Sequence, residues 1–134
     1  MSEKRATPED KWLSFPKGRL PKPQVEGSRQ VYRGCAYSTH VGFRPCLMDI
    51  YVPVNAAEGQ KRPVILYVHG GMFRMGTRAW VPSFVDKQLI IDSGYIFASI
   101  DYRLSSEAQW PAQLDDVFDA LTWLTERAEE FGID

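Results

Sequence analysis

The stretch Val64-Ile65-Leu66-Tyr67-Val68-His69-Gly70-Gly71-Met72-Phe73 decides how this chain is read. Five apolar residues run without alternation into a histidine and two glycines. An unbroken apolar run of this length fits a strand covered on both faces, as in the middle of a parallel sheet. The glycines that follow let backbone approach closely where a side chain would obstruct it. A turn of this kind can present its N–H groups to an anion. A strand, a glycine-rich turn and a helix in succession open a βαβ unit.

Working outward, a helix is expected within Val81 to Ser93. Phe84, Val85, Gln88, Leu89 and Ile91 give it a face, and Gly94 ends it. Tyr95 to Ile100 reads as a second buried strand, closing on Asp101-Tyr102-Arg103. A long helix is predicted to start near Pro111, a residue suited to a first helical turn. Leu114, Val117, Phe118, Leu121, Leu124, Ala128 and Phe131 form its apolar stripe, and Gly132 terminates it. Asp115 and Asp116 sit near the positive end of that helix. They could suggest carboxylate acid–base chemistry, but dipole compensation on a solvated surface explains them more simply.

Upstream, Val31 to Ser38 and Cys46 to Val52 have strand character, with Gly42 near the turn between them. An antiparallel pair is expected. Asn55 to Arg62 is a polar loop. Residues 1–30 form a polar arm or cap segment, broken by Pro16, Pro21 and Pro23 and anchored by Trp12, Leu13 and Phe15. Residues 31–134 form the domain. The element order is β, β, β, α, β, α, and the class is α/β.

Composition narrows the function. The 134 residues are 44% hydrophobic and 25% charged, ordinary for one globular domain or part of one. A net charge of −1 gives no general electrostatic reason to bind nucleic acid or an acidic membrane. No apolar run nears the ~20 residues of a membrane helix, and Met1 to Lys11 lacks the apolar stretch of a signal peptide. The expected location is cytoplasmic. Cys35 and Cys46 lie symmetrically about Thr39-His40-Val41-Gly42, so they could face each other across a hairpin. Two reduced, half-buried thiols are expected in preference to a bridge. Two cysteines and two scattered histidines make no metal-ligand cluster, and no cofactor is implied.

Anion-binding chemistry has several forms. Gly71 to Thr77 reads G-x-x-x-x-G-T, but a phosphate-binding P-loop needs Lys after the second glycine. There is also no G-x-G-x-x-G. Acyl transfer needs N–H donors for the oxygen that turns negative in the tetrahedral intermediate. Here those donors would be the N–H groups of Gly71 and Met72. His69, with Gly70, would support the loop by hydrogen bonding and would not act as a base. The residues alone leave open a plain glycine-rich β–α turn.

His69-Gly70-Gly71-Met72-Phe73, Asp101-Tyr102-Arg103-Leu104-Ser105, Glu107, Trp110-Pro111-Ala112-Gln113-Leu114-Asp115-Asp116, Ala120-Leu121, Trp123-Leu124 and Phe131-Gly132-Ile133-Asp134 occur in this order. In this the chain resembles the N-terminal half of an α/β-hydrolase esterase of the carboxylesterase and hormone-sensitive-lipase-like group. It is most similar to the acetyl-xylan or feruloyl esterase-like branch. The resemblance covers about residues 31–134. It implies an incomplete α/β-hydrolase fold, in which an N-terminal antiparallel hairpin leads into a parallel sheet flanked by helices. It also implies a serine carboxylic-ester hydrolase acting on a small-molecule ester, with Gly71 and Met72 in the oxyanion hole. Met72 stands where many relatives carry a third glycine. A backbone donor survives that change, and the side chain is expected to narrow the acyl pocket. Asp101 and Arg103 are expected to join a polar network at a strand end.

The family's nucleophile lies in G-x-S-x-G after the fifth strand. None of Ser2, Ser14, Ser28, Ser38, Ser83, Ser93, Ser99, Ser105 and Ser106 has glycine two positions before and two after. The resemblance gives neither His40 nor His69 the role of general base. The chain alone is therefore expected to be inactive. In the family's strand order, Val64–Val68 lies between Tyr95–Ile100 and a missing fifth strand. The apolar strand then becomes a sheet edge, and self-association or a complementing C-terminal half is expected. The alternatives are a non-catalytic truncated protein acting by binding or assembly, and half of a formamidase-type amidase.

Overall fold

The computed structural model describes residues 20–54 and 59–134. The anchors Trp12, Leu13 and Phe15 lie outside the described residues. In chain order the elements are β1 (Gln24–Glu26), β2 (Arg29–Ser38), β3 (Cys46–Pro53), β4 (Val64–Val68), α1 (Lys87–Asp92), β5 (Ile96–Ile100), α2 (Ala112–Glu126) and α3 (Ala128–Phe131). The strands form one sheet in the order β1-β2-β3-β5-β4. The first three pairings are antiparallel, and β4 runs parallel to β5. This is the α/β arrangement expected, with a short extra strand, β1, before the hairpin.

Strand β5 is buried along its whole length, because β3 and β4 flank it and both its faces are covered. Its alternation divides the core in two. Ile96, Ala98 and Ile100 join Met48 and Ile50 of β3 beneath Ala120 and Leu124 of α2. Phe97 points to the opposite layer, with Val31, Tyr51 and Ile91. Strand β4 differs from the expectation of cover on both faces. It lies at the sheet edge, as the expected strand order implied, and Ile65 and Val68 remain about two-fifths exposed. A strand bonded on one side has no neighbour to bury its outer residues.

Two helices also depart from the sequence reading. Helix α1 lies within the expected Val81 to Ser93, at Lys87–Asp92, so Phe84 and Val85 of the expected face fall before it. Asp86 caps it by accepting from the Leu89 N–H at 3.0 Å, so the chain before it stays in turns around Pro82. Of the expected face, Phe84 and Leu89 are exposed and Ile91 is buried. Helix α2 begins after Pro111 as expected, but its buried face is Gln113, Asp116, Ala120 and Leu124. Leu114, Phe118 and Leu121 lie on an exposed flank. The apolar stripe straddled two faces because two of the inward positions are polar.

Replacing Ile100, fully buried in β5, with alanine is expected to lower stability by about 2–5 kcal/mol. Urea unfolding checks this against Val41→Ala in the exposed turn, expected to change stability by less than about 0.5 kcal/mol.

Candidate active site

The parallel register pairs Val68 with Ile100, so β4 and β5 end side by side. His69 and Asp101 therefore emerge from adjacent strand ends. Crevices at the carboxyl ends of parallel strands are where α/β sheets place ligands.

The backbone after His69 takes an unusual course. Gly71, Met72 and Phe73 have φ angles of 131°, 55° and 61°. Only glycine adopts such angles freely, and each of the two non-glycine residues costs on the order of 1–3 kcal/mol. A side chain on Gly71 would also run into the Met75 carbonyl, while Gly70 faces open space. The turn closes through the N–H groups of Arg74 and Met75, which donate to the Gly71 carbonyl at 3.0 and 3.2 Å. The Ser105 N–H donates to the Phe73 carbonyl at 2.6 Å. Among the described residues, the Gly71 and Met72 N–H groups donate to no backbone carbonyl. Gly70 and Gly71 line a cleft of about 500 Å³ with Tyr67, Ala79, Trp80, Val81 and Pro82. The Met72 side chain is 86% exposed, so it narrows no pocket formed by the described residues.

Aromatic stacking supports the loop. The buried His69 ring lies 4.3 Å from the Tyr102 ring at 15°, and the Tyr102 hydroxyl donates to the His69 carbonyl at 2.8 Å. His69 Nδ1 is 2.7 Å from the Gly70 carbonyl oxygen, which places the proton on Nδ1. Phe73 meets Tyr102 and Trp110 edge-on.

The loop's exit is tied by Arg78, which sequence reasoning did not assign to the site. Its backbone N–H and one guanidinium nitrogen donate to Asp101 at 2.7 and 2.6 Å, and its Nε donates to Asp49 at 2.7 Å. The Ser99 hydroxyl donates to its carbonyl at 2.7 Å. Burial opposes the charge on Arg78, but the two carboxylates hold its pKa above the ordinary value. The available signal was Asp49, a carboxylate inside an otherwise apolar strand.

Asp101 and Arg103 do join polar networks at the strand end. Asp116 corrects the surface reading, because it is fully buried and Arg103 grips it. The Arg103 backbone N–H donates at 2.8 Å, Nε at 3.1 Å and a terminal nitrogen at 2.9 Å. Asp115 is exposed as expected. Nearby, Glu107 accepts from Arg44 at 2.8 and 2.9 Å and from the Leu104 N–H at 3.0 Å. The Arg44 hydrogen bonds keep its carboxyl below the usual glutamate range.

The cysteines are free and fully buried, not half-buried. They do not face each other: Cys35 pairs with Met48 and Cys46 with Ser38. Burial pushes both thiols up to about 12. One histidine proves not to be isolated. His40, Cys46 and Asp116 bring possible ligand atoms within 4.8 Å of one another. A separate cleft of about 550 Å³ between β2 and α2 holds none of the loop residues.

A family model described as BD-FAE matches residues 48–134, from β3 to the end of the sequence. The chain belongs to the BD-FAE family. Among curated relatives, esterase LipQ from Mycobacterium tuberculosis is 30% identical over 122 residues, covering 87% of this chain and 28% of LipQ. Carboxylesterase NlhH from the same organism is 38% identical over 122 residues, covering 91% of this chain and 35% of NlhH. The chain thus spans about a third or less of these relatives. Among solved structures, a bacterial heroin esterase superposes with a TM-score of 0.62 at 29% identity, covering 80% of this chain and 32% of that one. The fold of this BD-FAE chain is the N-terminal part of an α/β-hydrolase. Among the described residues, no helix is long and apolar enough to cross a membrane.

Asp116→Asn leaves Arg103 without its counter-charge and is expected to cost about 3–5 kcal/mol. Asp115→Asn is expected to change stability by less than about 0.5 kcal/mol. Urea midpoints of the two variants measure the contrast.

Proposed function

We propose that this chain is the oxyanion-binding part of a serine carboxylic-ester hydrolase acting on a small-molecule ester. The observation that carries the reading is the backbone at Gly71, Met72 and Phe73. It follows a parallel strand, has three successive positive φ angles, and leaves two consecutive amides without backbone acceptors among the described residues, beside a cleft.

When a nucleophile attacks an ester carbonyl, the carbon becomes tetrahedral and the oxygen takes the charge. The N–H groups of Gly71 and Met72 would donate to that oxygen. Donors held in place before the reaction need no reorganisation as the charge develops. His69 and Gly70 support the loop, through the Tyr102 stack on one side and the Nδ1 contact on the other. No cofactor enters this chemistry. The nucleophile, its general base and the acid are proposed to come from outside these residues, so the chain alone is inactive. The same absent part would cover the outer edge of β4, and without it the chain self-associates there.

Two measurements test this. With a short p-nitrophenyl ester the chain should be inert, and a version extended through a G-x-S-x-G element and the remaining triad should be active. In the extended version, Gly71→Ala keeps its amide but drives a Cβ into the Met75 carbonyl, so the loop and its donors must shift, and kcat should fall by about 10²–10³, as when one oxyanion donor is lost. Met72→Gly keeps its amide and should leave kcat nearly unchanged. Inactivity of the extended version would favour the non-catalytic alternative, and faster turnover of an N-formyl amide would favour the amidase. Separately, sizing chromatography of the chain should show association that grows with concentration and that Ile65→Lys, a charge on the exposed edge, suppresses. A monodisperse monomer throughout would count against the edge proposal.

A further inference from the structure

The cluster of His40, Cys46 and Asp116 stands apart from the loop and does not depend on the esterase reading. His40 lies in the turn after β2, Cys46 opens β3, and Asp116 sits in the second turn of α2. We propose that these three side chains bind a thiophilic divalent cation of the zinc class.

Donor type and spacing carry the inference. Imidazole nitrogen, thiolate sulfur and carboxylate oxygen are all ligands that zinc accepts. Metal–ligand bonds of about 2.0–2.3 Å in a tetrahedron set ligand–ligand edges of roughly 3.3–3.8 Å. His40 Nε2 is 3.4 Å from Asp116 Oδ1 and Cys46 Sγ is 3.7 Å from the other oxygen, Oδ2; with one ligand atom from each residue all three lie within 4.8 Å of one another, so a small contraction brings them to those edges. Cys46 and Asp116 are buried, and His40 is partly exposed, so a cation reaches the site from the imidazole side. Asp119, with an oxygen 4.0 Å from His40 Nε2 and a half-exposed side chain, can supply the fourth ligand.

Two neighbours compete with the cation. The Ser38 hydroxyl is 3.0 Å from His40 Nε2 and donates to Asp119, and a bound metal displaces it. Arg103 shares Asp116 and keeps its own positive charge beside the site. Its repulsion makes this site weaker than a closed structural zinc site. On binding, the Cys46 S–H bond breaks, an S–metal bond forms and the proton leaves to solvent. His40 binds through Nε2 with its proton on Nδ1.

Cobalt(II) is the probe, added to the full chain. A cysteine ligand should give a near-ultraviolet sulfur-to-cobalt charge-transfer band, and zinc(II) should abolish it by competition. Cys35→Ser should retain the band, because Cys35 lies outside the cluster. Cys46→Ser should lose it. His40→Ala alters a partly exposed turn residue and should shift the band and weaken binding, so the test survives even if Cys46→Ser fails to fold. Absence of the band in the native chain, or its persistence unchanged in His40→Ala or Cys46→Ser, overturns the proposal.

Discussion

The parallel pairing of β4 with β5 is the constraint on which the rest depends. Apart from the single parallel bridge of Arg62 with Ile133, it is the only parallel pairing among the described residues, and it ends both strands at one level, Val68 opposite Ile100. That shared ending brings His69 beside Asp101-Tyr102-Arg103. The Tyr102 ring can then stack on His69 while its hydroxyl reaches the His69 carbonyl. A shift of one residue would send each of these side chains to the other face of the sheet. Buried β5 resists such a slip, because Ile96, Ala98 and Ile100 would leave the layer under α2.

The loop can hold strained backbone because its surroundings are over-determined. Met72 and Phe73 keep positive φ angles against their intrinsic preference. Phe73 is held by the Ser105 amide and by two aromatic edges, and the exit is held by four hydrogen bonds at Arg78. Strain of this kind persists only where neighbouring structure leaves no alternative. The ties come from β3, from β5 and from the segment after it, so the whole sheet end acts as one support.

Much of this was legible in the sequence, and most of the misses share a cause. The apolar run into His69-Gly70-Gly71 announced both the parallel strand and the turn. The hairpin of β2 and β3 followed from alternation about Gly42. What periodicity could not supply was the phase of α2, where Asp116 and Gln113 face inward and Phe118 faces out. Apolar patterns assume that inward means apolar. Here an arginine three residues past a strand end supplies a partner, and a carboxylate becomes a core residue. The same assumption hid the link between His40 and Asp116, residues far apart in the chain that meet only once α2 packs on the sheet. Helix α1 lies within its expected range, and it leaves out Phe84 and Val85 for a different reason. Asp86 offers a cap, and a side-chain cap outranks a loose apolar pattern in setting where a helix starts.

Polar and apolar groups are not equally served in this structure. Three arginines around the loop find partners within the described residues: Arg78 with Asp49 and Asp101, Arg103 with Asp116, Arg44 with Glu107. The apolar groups do not. Ile65 and Val68 on the β4 edge, and Leu114, Phe118 and Leu121 on α2, remain in contact with water. Leaving a buried charge unpaired costs several kcal/mol, whereas an exposed leucine costs less and can wait for a partner surface. The loop's shape is therefore set by its own neighbourhood. In the proposed enzyme, the remainder of the domain would cover the apolar flanks and bring a nucleophile to the proposed oxyanion site at Gly71 and Met72.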